Sequence, residues 1–401
     1  MTEAVDYPAL FLKRGEDARL RAGHLWVFSN EIDVKRSPLS SFQPGELCAI
    51  VESGGKPIGI GYVNPNSLIA ARLVARGLDH AVDRSLIVHR LNIALGLRER
   101  LYAEPYYRLV FGESDGLPGL TLDRFGDVIV GQTTTAGMER LKDEISEAVV
   151  KVLKPAAIVW KNDAGIRTLE NLPEYADVGY GELTAPVLVR EGGLEFECDP
   201  IGGQKTGWFY DQHANRDRLA PYVAGKRVLD VCSYLGGWGL RAAAQGASEV
   251  VCVDTSGTAV DAIRCNIERN GFGDKVTAVK ADAFDELKRL REERQRFDVV
   301  ILDPPAFVKR KKDFAEGRIA YRRLNEMAMQ ILSREGILIT CSCSYHMPRA
   351  ALLDSVQQAA RHIDRQVQVL EQLQQSPDHP VHPAIAETDY LKGYICRVLP
   401  A

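Results

Sequence analysis

The feature that most constrains the fold is a regular alternation of apolar runs and helical stretches from about residue 195 to the C-terminus. The apolar runs include RVLDV, EVVCVD, FDVVIL and GILITCSCS, and amphipathic segments such as GTAVDAIRCNIERN separate them. Strands that are apolar along their whole length and alternate with helices are typical of a parallel sheet covered by helices on both faces. The pattern predicts an α/β, doubly wound, Rossmann-like domain over residues 191–401. The runs QVQVLEQL and YLKGYICRVL are expected to add final strands, one of them antiparallel.

The first 190 residues show two other patterns. Residues 1–78 hold the short runs LWVFSNEI, ELCAIVES, PIGIGYV and LIAARLV between turn residues, which predicts a small β-barrel or sandwich. Residues 79–190 begin with apolar residues at helical spacing over 80–102 and continue with mixed strands and helices. This second stretch predicts a linker helix and a central α+β domain. A chain of 401 residues is long enough for three such domains.

Composition narrows the class of protein. No apolar run reaches the roughly 18–20 residues needed to cross a bilayer, and the N-terminal stretch lacks a secretory signal pattern. The eight cysteines are scattered, which favours reduced thiols in a cytoplasmic protein over a disulfide framework. A net charge of −4 gives no overall preference for nucleic acid. Residues 309–323, however, carry seven basic and two acidic residues.

Acidic residues follow three successive strands at the edge where a doubly wound sheet binds its ligands. Carboxylates there suit the ribose hydroxyls, the adenine amine and the ammonium group of a nucleoside cofactor. The dinucleotide pattern G-x-G-x-x-G is missing, since only G-G-W-G follows the first strand, so S-adenosylmethionine fits better than a dinucleotide. The candidate cofactor contacts on these turns, with the acid after the fourth strand, are Asp230, Ser233, Tyr234, Gly236, Gly237, Asp254, Thr255, Asp282, Ala283, Phe284 and Asp303.

The fourth strand runs into the sequence DPPAF, which begins at Asp303. An acid or amide, two prolines and an aromatic ring in this order are common in enzymes that methylate a planar base. The acid and the outward-facing carbonyls of Pro304 and Pro305 would hydrogen-bond the edge of the base, and Phe307 would stack on its face. The basic side chains that follow directly, Lys309, Arg310, Lys311 and Lys312, would contact RNA phosphates beside this mouth.

The fifth strand ends in TCSCS and is expected to lie next to the fourth. A thiol opposite a base-binding acid suits methyl transfer to carbon 5 of a cytosine or uracil, because a thiolate that adds to carbon 6 makes carbon 5 nucleophilic. Cys343, at the end of the strand, is the predicted nucleophile, and Asp303 is its predicted catalytic partner at the ring nitrogen N3. Cys341 is expected to be a packing residue. No metal site is predicted, since His346 is the only further ligand nearby.

The whole chain resembles the bacterial ribosomal RNA methyltransferases that make 5-methylcytosine in the large subunit, the methyltransferase I group. The stretches LKRGEDARLRAGHLWVFSNEI and YVNPNSLIAARL resemble the RNA-binding PUA domain of that group. The stretches KTGWFYDQHANR, LDVCSYLGGWGL, DPPAF and SCS resemble its catalytic motifs. The resemblance implies S-adenosylmethionine as cofactor, 23S ribosomal RNA or a large-subunit precursor as substrate, and Cys343 as nucleophile. It also implies that Tyr210, Asp211, Gln212 and Arg216 help to bind the cofactor from a hairpin ahead of the sheet.

Some assignments stay open. Ala306 stands where other enzymes that make 5-methylcytosine carry a second cysteine, so the group that removes the carbon 5 proton is unassigned. Three other functions remain as alternatives: an RNA N-methyltransferase that uses DPPAF without a covalent intermediate, a nicotinamide oxidoreductase, and a non-catalytic RNA-binding factor. The target nucleotide and the assembly into homodimers are also open.

Overall fold

The computed structural model describes residues 7–79, 81–184 and 186–401. The predicted linker helix over 80–102 and the predicted domains 1–78 and 79–190 each include one or more residues outside this described part. The chain divides into two compact units. The first holds Met1–Val187, Asp199–Tyr210 and Asp378–Thr388, and the second holds Leu188–Cys198, Asp211–Pro377 and Asp389–Ala401.

The first unit begins with a five-stranded sheet of the order β1-β3-β4-β5-β2. Its strands are β1 (Ala9–Phe11), β2 (Trp26–Val27), β3 (Glu46–Val51), β4 (Pro57–Val63) and β5 (Ala71–Arg76), and the short helix α1 is Ala18–Arg21. The run LWVFSNEI was predicted as one strand, and this is wrong for its second half. Only two of its residues pair with β5, and Ser29–Glu31 form a 3₁₀ turn. The carboxylate of Glu31 accepts from the backbone of Phe28 and so favours the turn over the strand.

A second five-stranded sheet, of the order β10-β9-β8-β7-β6, completes the first unit. Its elements are β6 (Tyr106–Phe111), β7 (Leu120–Phe125), β8 (Val128–Thr133), β9 (Ala157–Asn162) and β10 (Tyr175–Gly181), with the helices α2 (Arg84–Leu101), α3 (Ala136–Arg140) and α4 (Lys142–Leu153). The parallel pair β8 and β9 needs a crossover, which α3 and α4 supply. Helix α2 begins after Asp83, whose side chain accepts from Leu86 N as an N-cap.

The second unit is built on a seven-stranded sheet of the order β15-β14-β13-β16-β17-β19-β18. A two-stranded hairpin of β11 (Val187–Glu191) and β12 (Leu194–Cys198) precedes it. The sheet strands are β13 (Arg227–Val231), β14 (Glu249–Asp254), β15 (Val276–Lys280), β16 (Phe297–Leu302), β17 (Leu332–Ser342), β18 (Arg365–Gln374) and β19 (Lys392–Pro400). The strands β13 to β17 pair in parallel, and β19 is antiparallel to both of its neighbours. The prediction of a doubly wound sheet with an antiparallel final strand is confirmed.

Helices cover this sheet, and its central strands are therefore buried on both faces. Val299, Val300, Ile301 and Leu302 are all fully buried, which explains the absence of polar alternation in β16. The helices are α5 (His213–Arg216), α6 (Ala220–Val223), α7 (Gly237–Ala244), α8 (Gly257–Arg269), α9 (Ala283–Glu292), α10 (Phe314–Gln330) and α11 (Arg349–His362). Helix α11 was not predicted, although its buried residues Leu352, Val356, Ala359 and Ala360 have helical spacing.

The strand order reverses at β13, which pairs with β14 on one side and with β16 on the other. The connections from β13 to β14 and from β16 to β17 therefore leave in opposite directions along the sheet. This divergence opens a crevice outside the carboxyl ends of the strands, where doubly wound sheets bind their ligands. The predicted neighbourhood of the fourth and fifth strands is also confirmed, since β16 pairs with β17.

Candidate active site

The turn after β13 brings a backbone N–H group to a buried carboxylate. Cys232, Tyr234 and Gly236 all have a left-handed backbone, with φ of 66°, 53° and 82°, so the chain turns sharply into α7. The Oδ2 atom of Asp230 accepts from the Gly239 N–H at 2.9 Å. A side chain at Gly239 would overlap the sulfur of Cys252, so only glycine allows α7 to lie this close to β14.

Asp230 lies in a cluster of negative charge. Burial raises its pKa to about 7, and the neighbouring carboxylates of Asp303 and Asp254 act in the same direction. Its Oδ1 atom is buried and has no hydrogen-bond partner among the described residues. The pKa of the Cys232 thiol is likewise raised, and burial is the largest cause. The carboxylates that add to this shift are, in decreasing order, those of Asp254, Asp303, Asp230 and Asp282. A site with this charge attracts a cationic ligand and repels a pyrophosphate.

The turns after β14 and β15 hold the next two predicted acids. Asp254 ends β14, and its two oxygens accept from the backbone N–H groups of Tyr234 and Ser256, each at 2.9 Å. These bonds fix the carboxylate and leave lone pairs for a further donor. Asp282 is exposed and caps α9, since its Oδ1 accepts from the backbone of Phe284 at 2.8 Å. Asp282 therefore has a structural role in the fold, whatever ligand it also contacts.

Asp303 begins the DPPAF turn directly after β16 and is held in place from two sides. Both of its oxygens lie 3.0 Å from the side-chain nitrogen of Gln212, and Oδ2 also accepts from the indole N–H of Trp238 at 3.0 Å. Three donor contacts on one half-buried carboxylate fix its orientation. Trp238 was not among the predicted residues, and its place inside the glycine-rich turn GGWG is the only sequence signal for it.

Aromatic rings line the segment after Asp303. The ring centroid of Phe307 lies 4.8 Å from that of Tyr321 on α10 and 6.4 Å from that of Phe284. Pro304 is buried, whereas Pro305 is exposed. The DPPAF segment thus leads from the sheet edge at Asp303 to the basic stretch that follows it. The basic residues Lys309, Arg310, Lys311 and Lys312 are all exposed.

The two cysteines of TCSCS differ in their surroundings. Cys341 is fully buried in β17, and burial raises the pKa of its thiol well above the ordinary value. Cys343 follows the last residue of β17 and is half-buried. The serines on either side are anchored: the Ser342 hydroxyl donates to the Tyr321 hydroxyl at 2.8 Å, and the Ser344 hydroxyl lies 3.0 Å from that same oxygen. The backbone on both sides of Cys343 is therefore held in place.

The residues that the resemblance assigned to a hairpin are not in one. The hairpin is β11 and β12, whereas Tyr210–Gln212 form a 3₁₀ turn and α5 follows it. Gln212 contacts Asp303 as described, and Asp211 accepts from the Tyr390 hydroxyl at 2.6 Å. Arg216 is buried in a bidentate ion pair with Glu191, with distances of 2.5 and 2.6 Å. Tyr210 belongs to the first unit, where its hydroxyl donates to the Arg124 carbonyl at 2.8 Å.

The second unit thus brings together seven of the fifteen predicted cofactor contacts, among them the acid that begins the DPPAF turn. Those grouped at the carboxyl edge of β13, β14 and β16 are Asp230, Ser233, Tyr234, Gly236, Gly237, Asp254 and Asp303. Within the described part of the chain, no group of His, Cys, Asp and Glu residues has the arrangement of a metal site. Those same residues also include no helix that is long and apolar enough to span a membrane.

Comparison with known families defines the class of this protein. Residues 167–393 match the family described as S-adenosylmethionine-dependent methyltransferase, and residues 10–76 match the PUA-like domain. The first match covers more than half of the chain, so the protein is an S-adenosylmethionine-dependent methyltransferase with an N-terminal PUA-like domain. The carboxylate cluster agrees with this cofactor, which carries a sulfonium and an ammonium group and no phosphate. The alternative of a nicotinamide oxidoreductase is thereby removed.

Whole-chain relatives then give the family. The chain is 37% identical over 396 residues to a ribosomal RNA large subunit methyltransferase I of Aliivibrio fischeri, with 98% of this chain and 99% of the relative covered. It is 38% identical over 395 residues to the enzyme of that name from Photobacterium profundum, covering 97% and 99% of the two chains. The chain belongs to the ribosomal RNA large subunit methyltransferase I family, and the resemblance noted in the sequence is confirmed.

Solved structures share the fold at lower identity. The crystal structure of SMU.776 in complex with SAH superposes with a TM-score of 0.83 at 20% identity, covering 97% of this chain and 100% of that one. A further solved structure, of a protein from Streptococcus mutans, gives a TM-score of 0.81 with the same identity and coverage. These two solved structures therefore share the fold of this chain.

Proposed function

We propose that this protein transfers a methyl group from S-adenosylmethionine to carbon 5 of a cytosine in 23S ribosomal RNA, through a covalent adduct with Cys343. The relatives named ribosomal RNA large subunit methyltransferase I support ribosomal RNA as the substrate class. One observation carries the choice of reaction: a half-buried thiol follows β17, and the adjacent strand β16 runs directly into Asp303. Methyl transfer to an exocyclic or ring nitrogen would need the acid but not the thiol.

The chemistry requires a nucleophile because carbon 5 of cytosine does not attack a methyl donor unaided. The Cys343 thiolate would form a bond to carbon 6, and the electrons of the C5=C6 double bond would move into an enamine whose carbon 5 is nucleophilic. When bound, S-adenosylmethionine supplies the electrophilic methyl group. Loss of the carbon 5 proton to a base then restores the double bond and releases the thiolate. A target within paired RNA would first have to be flipped out of its stack.

Asp303 would stabilise the adduct from the edge of the base. Addition of a thiolate at carbon 6 places negative charge on the ring, and a proton or hydrogen bond at N3 offsets that charge. Gln212 and Trp238 hold the carboxylate in one orientation, which avoids reorganisation during the reaction. Phe307 would stack on the face of the flipped base. Asp230 and Asp254 would take the ammonium and ribose ends of the cofactor.

The remaining contacts would bind the RNA backbone. Lys309, Lys311 and Lys312 are exposed beside the DPPAF turn, and their ammonium groups would neutralise phosphates without reading the sequence. Arg310 already pairs with Asp313 at 3.1 Å and would contribute less. The PUA-like domain would grip another part of the RNA. We also propose that the protein acts in the cytoplasm, where its substrate is made, and that homodimers are compatible with this role.

Covalent trapping tests the proposed reaction. Large-subunit RNA made with 5-fluorocytidine should form an adduct stable on a denaturing gel, because the fluorine at carbon 5 cannot leave as a proton does. The Cys343→Ala variant should form no adduct and lose methyl transfer to normal RNA. The matched control is Cys341→Ala, which removes the neighbouring buried thiol and should keep both activities.

Two outcomes would overturn the proposal. Full methyl transfer by Cys343→Ala would rule out the covalent mechanism, and mass spectrometry of the methylated nucleoside would then show whether a nitrogen is the target. RNA and cofactor binding with no methyl mark on any large-subunit RNA or precursor particle would indicate a non-catalytic binding factor.

A further inference from the structure

A buried lysine lies beside the candidate nucleophile. Lys392 is the first residue of β19 and pairs in register with Ser342, the last residue of β17. Its side chain is only 4% exposed, and its ammonium nitrogen donates to the Ser344 carbonyl at 2.7 Å. Because Cys343 is the one residue between these two serines, β19 places a cation against the short segment that carries the thiol. The sequence signal is a lone lysine in the apolar run LKGYICRV.

The charged surroundings of Lys392 are few. The groups that act on its ammonium are Asp389 ahead of β19, Cys343 after β17 and Arg349 at the start of α11, while its partner on β18 is the neutral Gln374. Burial lowers the pKa of Lys392 to about 8, and Arg349 acts in the same direction. Asp389 and Cys343 act in the opposite direction, and Asp389 is exposed to solvent, which screens its charge.

The segment does not need an ammonium group to hold its shape. Tyr321 contacts the hydroxyls of both Ser342 and Ser344, and the Ser344 hydroxyl also accepts from the Val308 N–H at 3.2 Å. A buried cation costs free energy unless an anion or several acceptors compensate it. A neutral donor would satisfy the Ser344 carbonyl at lower cost. The charge of Lys392 therefore calls for a negative partner, and Cys343 supplies one when it is ionised.

We propose that Lys392 is the positioning residue that keeps Cys343 ionised as a thiolate in the resting protein. In forming the pair, the S–H bond of Cys343 breaks and the proton adds to the neutral amine of Lys392, so that the total charge is unchanged. The ammonium then stabilises the thiolate. Under the proposed function, on which this last role rests, it would also stabilise the thiolate when the bond from sulfur to carbon 6 breaks.

Alkylation of Cys343 in the full-length protein without RNA tests the pair directly. The rate of modification by iodoacetamide is followed against pH, and fragment-ion mass spectrometry assigns the modification to Cys343 within the peptide that it shares with Cys341. Because iodoacetamide reacts with the thiolate, the midpoint reports the pKa of the thiol. Lys392→Met should raise this midpoint by about one pH unit or more, and lower the rate near neutral pH roughly tenfold. Lys392→Arg, which keeps the positive charge, should restore most of the rate.

The control is Lys226→Met, which removes an exposed lysine just before β13, at the opposite end of the strands. An equal Cys343 midpoint in the wild type and in a folded Lys392→Met variant would refute the pair. So would a midpoint that Lys392→Met and Lys392→Arg raise by the same amount, since loss of packing rather than charge would then be the cause.

A reciprocal measurement covers the case in which Lys392→Met does not fold. Coupling between two charged groups is mutual, so removal of the thiolate must also change the titration of the lysine. Carbon-13 NMR of the Lys392 side chain should give a lower pKa in Cys343→Ser than in the wild type. An unchanged pKa of Lys392 in Cys343→Ser would overturn the proposal.

These measurements stay separate from the test of the proposed function. If Cys343→Ala retains methyl transfer while the two pKa values remain coupled, the proposed reaction is wrong and the ion pair stands. If the covalent adduct depends on Cys343 while the pKa values are independent, the reaction stands and the role of Lys392 is wrong.

Discussion

The substitution Asp230→Asn tests two separate effects of this carboxylate. One is its effect on the free energy of unfolding, and the other is its contribution to cofactor binding. The side chain is fully buried, and one of its oxygens has no hydrogen-bond partner among the described residues. Asp303 and Asp254 add repulsion to the cost of burial. Asparagine has nearly the same shape, and its carbonyl oxygen can still accept from the Gly239 N–H. The variant should therefore stabilise the protein without cofactor and weaken its binding of S-adenosylmethionine.

The magnitude follows from the pKa. Folding raises the pKa of this carboxyl from 3.8 to about 7. At about pH 8 this lowers the free energy of unfolding by about 4 kcal/mol, because each pH unit between the two values contributes about 1.4 kcal/mol. The asparagine NH₂ group would be buried without an acceptor, which costs about 1–3 kcal/mol. The net gain in the free energy of unfolding is then about 1–3 kcal/mol. With a slope of about 3 kcal/mol per M urea, this corresponds to a midpoint shift on the order of 0.3–1 M.

The dependence on pH gives the sharper readout. Between the ordinary pKa of 3.8 and the raised value of about 7, the folded protein holds a proton that the unfolded chain has released. Rising pH therefore lowers the free energy of unfolding of the wild type across this window, and the loss is complete above it. Urea unfolding of both proteins from about pH 4 to pH 8 should show the stability difference growing with pH in favour of Asp230→Asn.

Calorimetry completes the experiment. The affinity for S-adenosylmethionine near pH 8 should fall roughly tenfold or more in the variant, because a hydrogen bond to a charged group contributes about 1.5–3 kcal/mol. The control is Asp261→Asn on α8, where the side chain is 73% exposed, and it should change neither measurement. Equal pH dependence of stability in the wild type and Asp230→Asn would refute the reasoning, as would a variant that binds the cofactor with undiminished affinity.

Two further predictions concern the turn and the basic stretch. Gly239→Ala should lower the free energy of unfolding by about 1–3 kcal/mol and weaken cofactor binding in calorimetry, because the added carbon would overlap the Cys252 sulfur. The double substitution Lys311→Gln and Lys312→Gln should weaken RNA binding and reduce the slope of log Kd against log salt by about 1–2, roughly 0.7–0.9 for each lost phosphate contact. Fluorescence anisotropy at several salt concentrations measures that slope.

Matched controls exist for both. Gly273→Ala introduces the same methyl group where nothing lies within 4 Å, and it should leave stability and binding unchanged. A Gly239→Ala protein as stable as Gly273→Ala would contradict the steric account of the turn. Lys288→Gln removes an exposed cation from α9, where the side chain is 64% exposed, and should not alter the salt slope. An unaltered slope in the double variant would show that Lys311 and Lys312 do not contact RNA phosphates.

The order of strands and helices in the second unit was predictable because each element carries its own local signal. The strands β13 and β16 are continuous apolar runs, and the acids Asp230, Asp254 and Asp303 stand at or just after strand ends. Parallel strands bring their carboxyl ends to one edge, so a linear pattern was enough to group these acids. Helix α11 was missed although its apolar spacing is regular. The prediction of one strand over LWVFSNEI was wrong because the Glu31 carboxylate accepts a hydrogen bond from the Phe28 N–H and stabilises a turn.

Taken alone, the sequence determined the sheet, the edge at which the acids gather and the family, since all three depend on local patterns and their order along the chain. Only the tertiary structure decided which side chains contact Asp303 and the segment around Cys343. Gln212 and Trp238 converge on Asp303 from segments 91 and 65 residues away. Lys392 meets the cysteine segment because β19 inserts antiparallel beside β17. The reason is physical: charge coupling and burial depend on distances in space, and strand pairing sets those distances between residues far apart in the chain.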